Sequence, residues 1–470
     1  MPSDARLIFA QNIFSIFVAE AEGMQIHQFY DEGLAHASYA IISKQQVVLI
    51  DPARNPQPYL DFAREYDAQI IAIIETHPHA DFVSSHLELH QVTGAPIYIS
   101  RLLRAAYPNR SFDTDVLIQC GSVSFRAIDT PGHSPDSLCV LLLDESGKPN
   151  AVFTGDTLFV GDVGRPDLRE DAGKNPEKAI EFAKALYHSL HQQLAKLPSG
   201  VIVYPAHGPG SLCGKNMGSE LQSTIGREFR ENYALQPMTA AEFVALTLKE
   251  QPFVPRYFAY DVALNEKGAP PFQASIDAVR IVDDVPLAVK DIVIDGRPQA
   301  QFKAGHYPGA INIPDGTKFE TWLGSVVAPE ESFYLCAGDP EALAILLEKS
   351  AKIGYESKIC SAVITCGGPV VSAGFDPDTF KHASGDYTIV DIRNPGEKTG
   401  HGGGGFSGSI PIPLYELRER VGEIPTDKPI VVHCAGGYRS AIGASIVAGI
   451  VKSVPVFDMG THIQHLSTIS

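Results

Sequence analysis

The chain has no run of about 18 apolar residues that could cross a bilayer, and no tract of lysine or arginine anywhere along it. With 37 basic against 55 acidic residues the formal charge is -18 and the pI near 5.3. The basic stripe that binds nucleic acid or an anionic membrane is therefore missing, and neither partner is expected. Cysteine is scarce: seven in 470 residues, an odd number, which fits individual thiols in a reducing compartment better than a disulfide framework. The opening MPSDARLIFAQNIFSIFVAEAEG lacks a basic start followed by an uninterrupted apolar run. No signal peptide is expected, and the chain reads as cytoplasmic.

The length points to about three domains. From residue 1 to 255, short β-rich runs (QIIAII, APIYIS, LCVLLL, VIVYP) alternate with helical stretches, and histidine-bearing motifs sit where runs end. NPEKAIEFAKALYHSLHQQLAKL has helical periodicity. TAAEFVALTLKEQ is expected to be a helix capped by Thr239 and stopped by Pro252. NEKGAPPF then reads as a linker. Beyond it the same order of events occurs twice: a strand ending in Asp and Arg, a turn before NIP or PIP, then a strand ending in Cys-Ala-Gly that opens into a helix. This internal repeat of about 100 residues predicts two small α/β domains with parallel sheets, 268–375 and 376–470.

Within ETHPHADF, His77, His79 and Asp81 alternate, so their side chains point the same way, as a metal site requires. DTPGHSPDSL, VFTGDTLF and VIVYPAHGPGS add His133, Asp156 and His207, each behind an apolar run and so at the mouth of a sheet sandwich. On these motifs, residues 1–255 resemble the metallo-β-lactamase superfamily, which implies an αββα sandwich. Its hydrolases usually continue H-x-H-x-D-H, and here Phe82 takes the place of the last histidine, a ligand of the second metal.

What remains resembles the persulfide dioxygenases. The resemblance implies one Fe(II) per chain on His77, His133 and Asp156, a facial triad with vacant positions for persulfide and dioxygen. It leaves His79, Asp81 and His207 to orient ligands and bound water, and puts Arg165 and Asp167 of GDVGRPDL near the site. Cys213, in the GSLCGK loop, resembles a loop thiol of the multidomain members and is expected at the mouth of the iron site, binding or relaying a persulfide.

In VVHCAGGYRSAIGAS a thiol ends a buried strand and faces a helix N-terminus across small residues, and Arg439 adds a full charge. Both favour a thiolate or a persulfide anion on Cys434. This loop resembles that of the rhodanese sulfurtransferases, and VDIRNPGE, with Asp391 and Arg393, matches their preceding strand. In the middle repeat the loop is CAGDPE, and Asp339 and Glu341 stand where Gly437 and Arg439 stand in the other copy. Two carboxylates are expected to raise the pKa of Cys336, which makes the middle domain degenerate and structural.

The whole chain thus resembles fusions of a persulfide dioxygenase, a degenerate rhodanese and an active rhodanese. Such a fusion implies that a thiol persulfide, dioxygen and water give thiol and sulfite, and that sulfite takes sulfur from Cys434 as thiosulfate. The alternative is a glyoxalase II-like thioester hydrolase with a binuclear zinc site. The thiol carrier and the oligomeric state stay open, a homo-oligomer, dimer or tetramer, being compatible with the sequence.

Overall fold

The β-rich runs of the N-terminal half pair into two facing sheets. The structure, a computed structural model, describes residues 13–21, 23–169, 173–284, 291–364, 366–398 and 405–466. Residues 1–12, on which the absence of a signal peptide was partly argued, lie outside them. The described residues fall into two compact units, one within Gln11–Ser275 together with Ala351–Gly354, the other within Ile276–Ser350 and Tyr355–Ser470.

In the first unit a seven-stranded sheet runs from Ile13–Ala21 through Gln46–Ile50 and Gln69–Ile74 to Arg110–Ser111. A six-stranded sheet faces it, with Pro149–Gly155 between Leu138–Leu143 and Ile202–Pro205. Tyr39, Ile41, Val48 and Ile74 of one sheet pack on Phe125, Val140, Phe153 and Tyr204 of the other. The outer faces are covered by helices: Gln57–Glu65 and His86–Thr93 on the first sheet, Pro176–His188 and Ala240–Leu248 on the second. Each sheet is buried on both sides, which explains why strands such as His36–Ser43 are apolar without alternation. The result is an αββα sandwich.

Thr239 caps Ala240–Leu248 through a reciprocal pair with Glu242, and the helix ends four residues before Pro252. The segment read as a linker differs from expectation. Its first three residues finish the helix Phe258–Lys267, and Asn265 is buried in the first unit. A side chain with both donors and an acceptor was needed there, as the site below shows.

The second unit contains both repeats, each with a wholly parallel sheet. The middle repeat orders its strands Ile281–Val282, Ile359–Val363, Phe333–Cys336, Ile292–Asp295, Ile311–Asn312. The last repeat orders them Ile410–Pro411, Thr388–Asp391, Ile430–His433, Val456–Asp458. The repeated Asp-x-Arg closes the same way in both: Arg297 pairs with Asp295 at 2.6 Å and Arg393 with Asp391 at 2.9 Å. None of the described helices is long and apolar enough to cross a membrane.

Candidate metal centre and sulfur-transfer loop

Strand ends bring the metal motifs together. His77 follows Gln69–Ile74, His133 follows Val123–Asp129, Asp156 follows Pro149–Gly155 and His207 follows Ile202–Pro205. Donor atoms of His77, His133 and Asp156 lie within 4.8 Å of one another, as do those of His79, Asp81 and His207. Asp156 joins the two groups. Its Oδ2 is 3.4 Å from His133 Nε2 and 3.7 Å from His77 Nε2, and its Oδ1 is 3.5 Å from His207 Nε2. Gly164 makes the approach: a Cβ there would stand 1.9 Å from the Asp156 carbonyl oxygen and 3.0 Å from His133 Nδ1.

The ring orientations follow from hydrogen bonds at the far nitrogens. His133 Nδ1 donates to the Arg165 carbonyl at 3.0 Å, and His207 Nδ1 to the Ala35 carbonyl at 3.2 Å. Thr76 Oγ1 spends its proton on Asp51 Oδ2 at 2.8 Å, so it accepts from His77 Nδ1 at 3.0 Å. Each Nε2 then carries a lone pair toward Asp156. Burial, with the neighbouring histidines, holds His77 well below the usual 6.5. Burial also lowers His133, against the pull of Asp156. Neutral imidazoles are what a metal takes. Both oxygens of Asp156 are buried without a hydrogen-bond partner, a costly arrangement unless a cation sits there. The donor set therefore fits a metal ion.

Phe82 packs against His79, a member of the second donor group. It is buried between the rings of His36 and His79, with centroids 3.8 and 4.3 Å away. His79 reaches two acidic partners, Asp51 at 3.2 Å and Glu75 at 3.4 Å, while a ring nitrogen of it also lies within 4.8 Å of donor atoms of Asp81 and His207. Burial opposes its charge, but the two carboxylates outweigh that and hold it well above 6.5. Burial likewise opposes the charge on Glu75, yet His79 and His86 hold it down at about 2. Asn265 fixes this loop, donating to the carbonyls of His79 and Phe82 and accepting from the Ser84 N–H, each at 2.8 Å.

Arg165 is buried and makes a bidentate pair with Asp167 at 2.7 and 2.8 Å. Its guanidinium also donates to Leu212 O, and its backbone N–H to Cys213 O. The pair thus braces the Cys213 loop, and only the Arg165 carbonyl reaches a site histidine. Cys213 is buried, with its sulfur within 4.8 Å of donor atoms of Asp156 and His207. Burial, then Asp81 and Asp156, pushes its thiol well above the usual range, so it is held protonated. Sequence reasoning missed His36, Asp51, Glu75 and Asn265. Asp51 and Glu75 left a signal, each an acid directly behind an apolar run, VVLI and QIIAII.

In the last repeat, Cys434 lies behind Ile430–His433 and before the helix Tyr438–Ile450. The Gly437 N–H donates to its sulfur at 3.1 Å. Gly437 has φ +98, and a Cβ there would meet the Gly460 carbonyl carbon at 2.7 Å, so only glycine fits. Arg439 does not offer the free charge expected of it, because Glu397 takes it in a bidentate pair at 2.5 and 2.6 Å. The middle repeat holds this loop from the other side. Gln299 donates to Gly437 O at 3.1 Å, Tyr438 donates to Pro314 O at 2.7 Å, and the Arg439 guanidinium lies 5.9 Å from the Trp322 ring centre. At Cys336 the thiol is pushed up, but by its contact with Cys366 and by burial. Asp339 instead caps a helix, accepting from Ala342 N–H at 2.8 Å.

A family model of the metallo-beta-lactamase superfamily matches residues 31–207, and one of the rhodanese-like domain matches residues 376–466. The chain is 30% identical over 210 residues to the probable polyketide biosynthesis zinc-dependent hydrolase BaeB of Bacillus velezensis, covering 43% of this chain and 86% of that one. It is 32% identical over 165 residues to the mitochondrial persulfide dioxygenase ETHE1 of Homo sapiens, covering 35% of this chain and 59%, less than two thirds, of that one. A crystal structure of a metallo-beta-lactamase from Staphylococcus aureus superposes with a TM-score of 0.67 at 31% identity, over 73% of this chain and 99% of that one. The chain belongs to the metallo-beta-lactamase superfamily, with a rhodanese-like domain at its C-terminal end.

Proposed function

We propose that the chain is an iron-dependent persulfide dioxygenase, with residues 1–255 as the oxygenase domain, 268–375 as a degenerate rhodanese and 376–470 as a sulfurtransferase. One observation carries the reading: Phe82 packs between His36 and His79 where a second metal's ligand would stand, and His79 is turned to Asp51 and Glu75. On this reading one ion would sit on His77, His133 and Asp156. Bound there, Fe(II) would supply dioxygen activation beside a coordinated persulfide. The chain's own part is to orient His77 through Thr76 and Asp51 and to orient His133 through the Arg165 carbonyl. The Cys213 thiol, held as a proton donor beside Asp156, is suited to receive the outer sulfur of a persulfide by hydrogen bond.

Sulfite leaving this domain is a nucleophile toward a persulfide on Cys434, and their reaction gives thiosulfate and the free thiol. Seven unpaired cysteines fit a cytoplasmic setting. The test is anaerobic iron loading followed by oxygen uptake with a panel of low-molecular-weight thiol persulfides. A rate above that with the parent thiols supports the reading, and none overturns it. One observation favours the hydrolase alternative: His79, Asp81 and His207 still converge within 4.8 Å, as a second zinc would require. Thioester hydrolysis by the chain loaded with two zincs, without oxygen uptake, decides for it.

A further inference from the structure

Cys336 and Cys366 lie against each other in the middle repeat, and neither takes part in the chemistry above. Cys336 ends the strand Phe333–Cys336, and Cys366 follows the parallel neighbour Ile359–Val363, whose last residue is the Cα partner of Cys336. Ala337 N–H donates to Val363 O at 2.9 Å, closing the two strand ends together. The Cys366 thiol turns back over that junction and donates to the carbonyl of Ala337, the residue beside Cys336, at 3.3 Å. Both side chains are buried in one apolar cluster, Cys336 0% exposed and Cys366 4%.

The chain beyond Cys366 is fixed as well. His306 N–H donates to Val370 O at 2.9 Å, and a Cβ on Gly368 would stand 2.0 Å from the His306 carbonyl oxygen. The Arg297 guanidinium, itself paired with Asp295, feels both sulfurs. Its charge acts against the upward push that the Cys366 contact and burial exert on the Cys336 thiol.

We propose that Cys336 and Cys366 form a redox dithiol that closes an intramolecular disulfide across two neighbouring strand ends when it meets a small peroxide. Adjacent strands run about 4.8 Å apart, and Cys366, three residues past the strand partner of Cys336, turns its sulfur back over that gap to 3.3 Å from the Ala337 carbonyl. Cys366, the more exposed, attacks one oxygen of hydrogen peroxide. The O–O bond breaks, the sulfur keeps one oxygen as a sulfenic acid, and the other leaves as water with the thiol proton. The Cys336 sulfur then attacks the Cys366 sulfur, the S–S bond forms, and the sulfenic oxygen departs as a second water. Both thiols together lose two electrons and the peroxide gains them. Contact with Cys366 and burial push the Cys336 thiol up, which assigns it the second step. The five other cysteines do not compete: Cys360 is exposed on the opposite face of its strand, Cys120, Cys139 and Cys213 belong to the first unit, and Cys434 to the last repeat.

The full-length reduced chain, titrated with hydrogen peroxide and quenched with an alkylating agent under denaturing conditions, tests this by peptide mass spectrometry. A peptide pair linking Cys336 to Cys366 is expected in the wild type and in Cys434→Ser, reversible by dithiothreitol and absent in Cys366→Ser. Recovery of both residues alkylated in the wild type, or of either one oxidised alone to a sulfinic acid, overturns the proposal. The wild-type map decides even if the Cys366 variant folds poorly.

Discussion

The ring of Phe82 packs on that of His36 at 3.8 Å between centroids with 34° between the planes. On the proposed reading, in which Phe82 stands in place of a second metal's ligand, the chain is expected to take up one iron when loaded anaerobically. Elemental analysis returning two zincs per chain with full activity contradicts this. Phe82→Ala opens a cavity between two buried rings and is expected to cost about 3–5 kcal/mol, read from the denaturation midpoint.

His133 and His207 both approach Asp156, but from opposite oxygens. His133→Ala is expected to abolish iron binding and oxygen uptake, whereas His207→Ala, on the side of Asp81, only weakens them. Equal loss of iron in the two variants places His207 among the ligands.

Asn265→Ala strips three hydrogen bonds from the backbone between His79 and Ser84. Leaving those buried groups unpaired is expected to cost on the order of 3 kcal/mol of stability. Thermal unfolding measures the loss, and a stability unchanged from wild type refutes the anchoring role.

Cys434→Ser is expected to leave persulfide-dependent oxygen uptake largely intact while the product changes from thiosulfate to sulfite. Cys336→Ser, assayed under reducing conditions, is expected to change neither. Chromatography of the products decides: thiosulfate kept in the first variant and lost in the second would assign the transferase to the middle repeat.

Burial opposes the charge on Glu397, but its pair with Arg439 holds the carboxyl below the usual 4.5. A depressed carboxyl contributes stability that is complete above its unfolded value and lost as pH falls through the folded one. The thermal midpoint is therefore expected to fall as pH drops below about 4.5, and Glu397→Gln is expected to flatten that fall. Identical pH profiles for the two proteins count against the pair.

Strand ends carry much of what was legible. His77, His133, Asp156 and His207 each follow an apolar run, and a run that must be buried delivers its next polar residue to the sheet's rim. Gly437 and Cys434 were readable for a similar reason, because a strand-to-helix turn around a sulfur needs small residues locally. The sequence by itself therefore determined the sandwich, the parallel repeats, the donor set and the absence of a histidine at position 82. Only the tertiary structure decided what those groups touch. Asn265 reads as part of a Gly/Pro-rich linker, yet it reaches back more than 180 residues to hold His79 and Phe82. Glu397 neutralises Arg439, Gln299 steadies Gly437 from another repeat, and Cys366 rather than Asp339 sets the state of Cys336. Period and side-chain chemistry are properties of a few neighbouring residues. Which buried charge meets which is set by strand order and close packing between segments far apart in the chain, and one carboxylate at contact distance changes the charge an arginine offers.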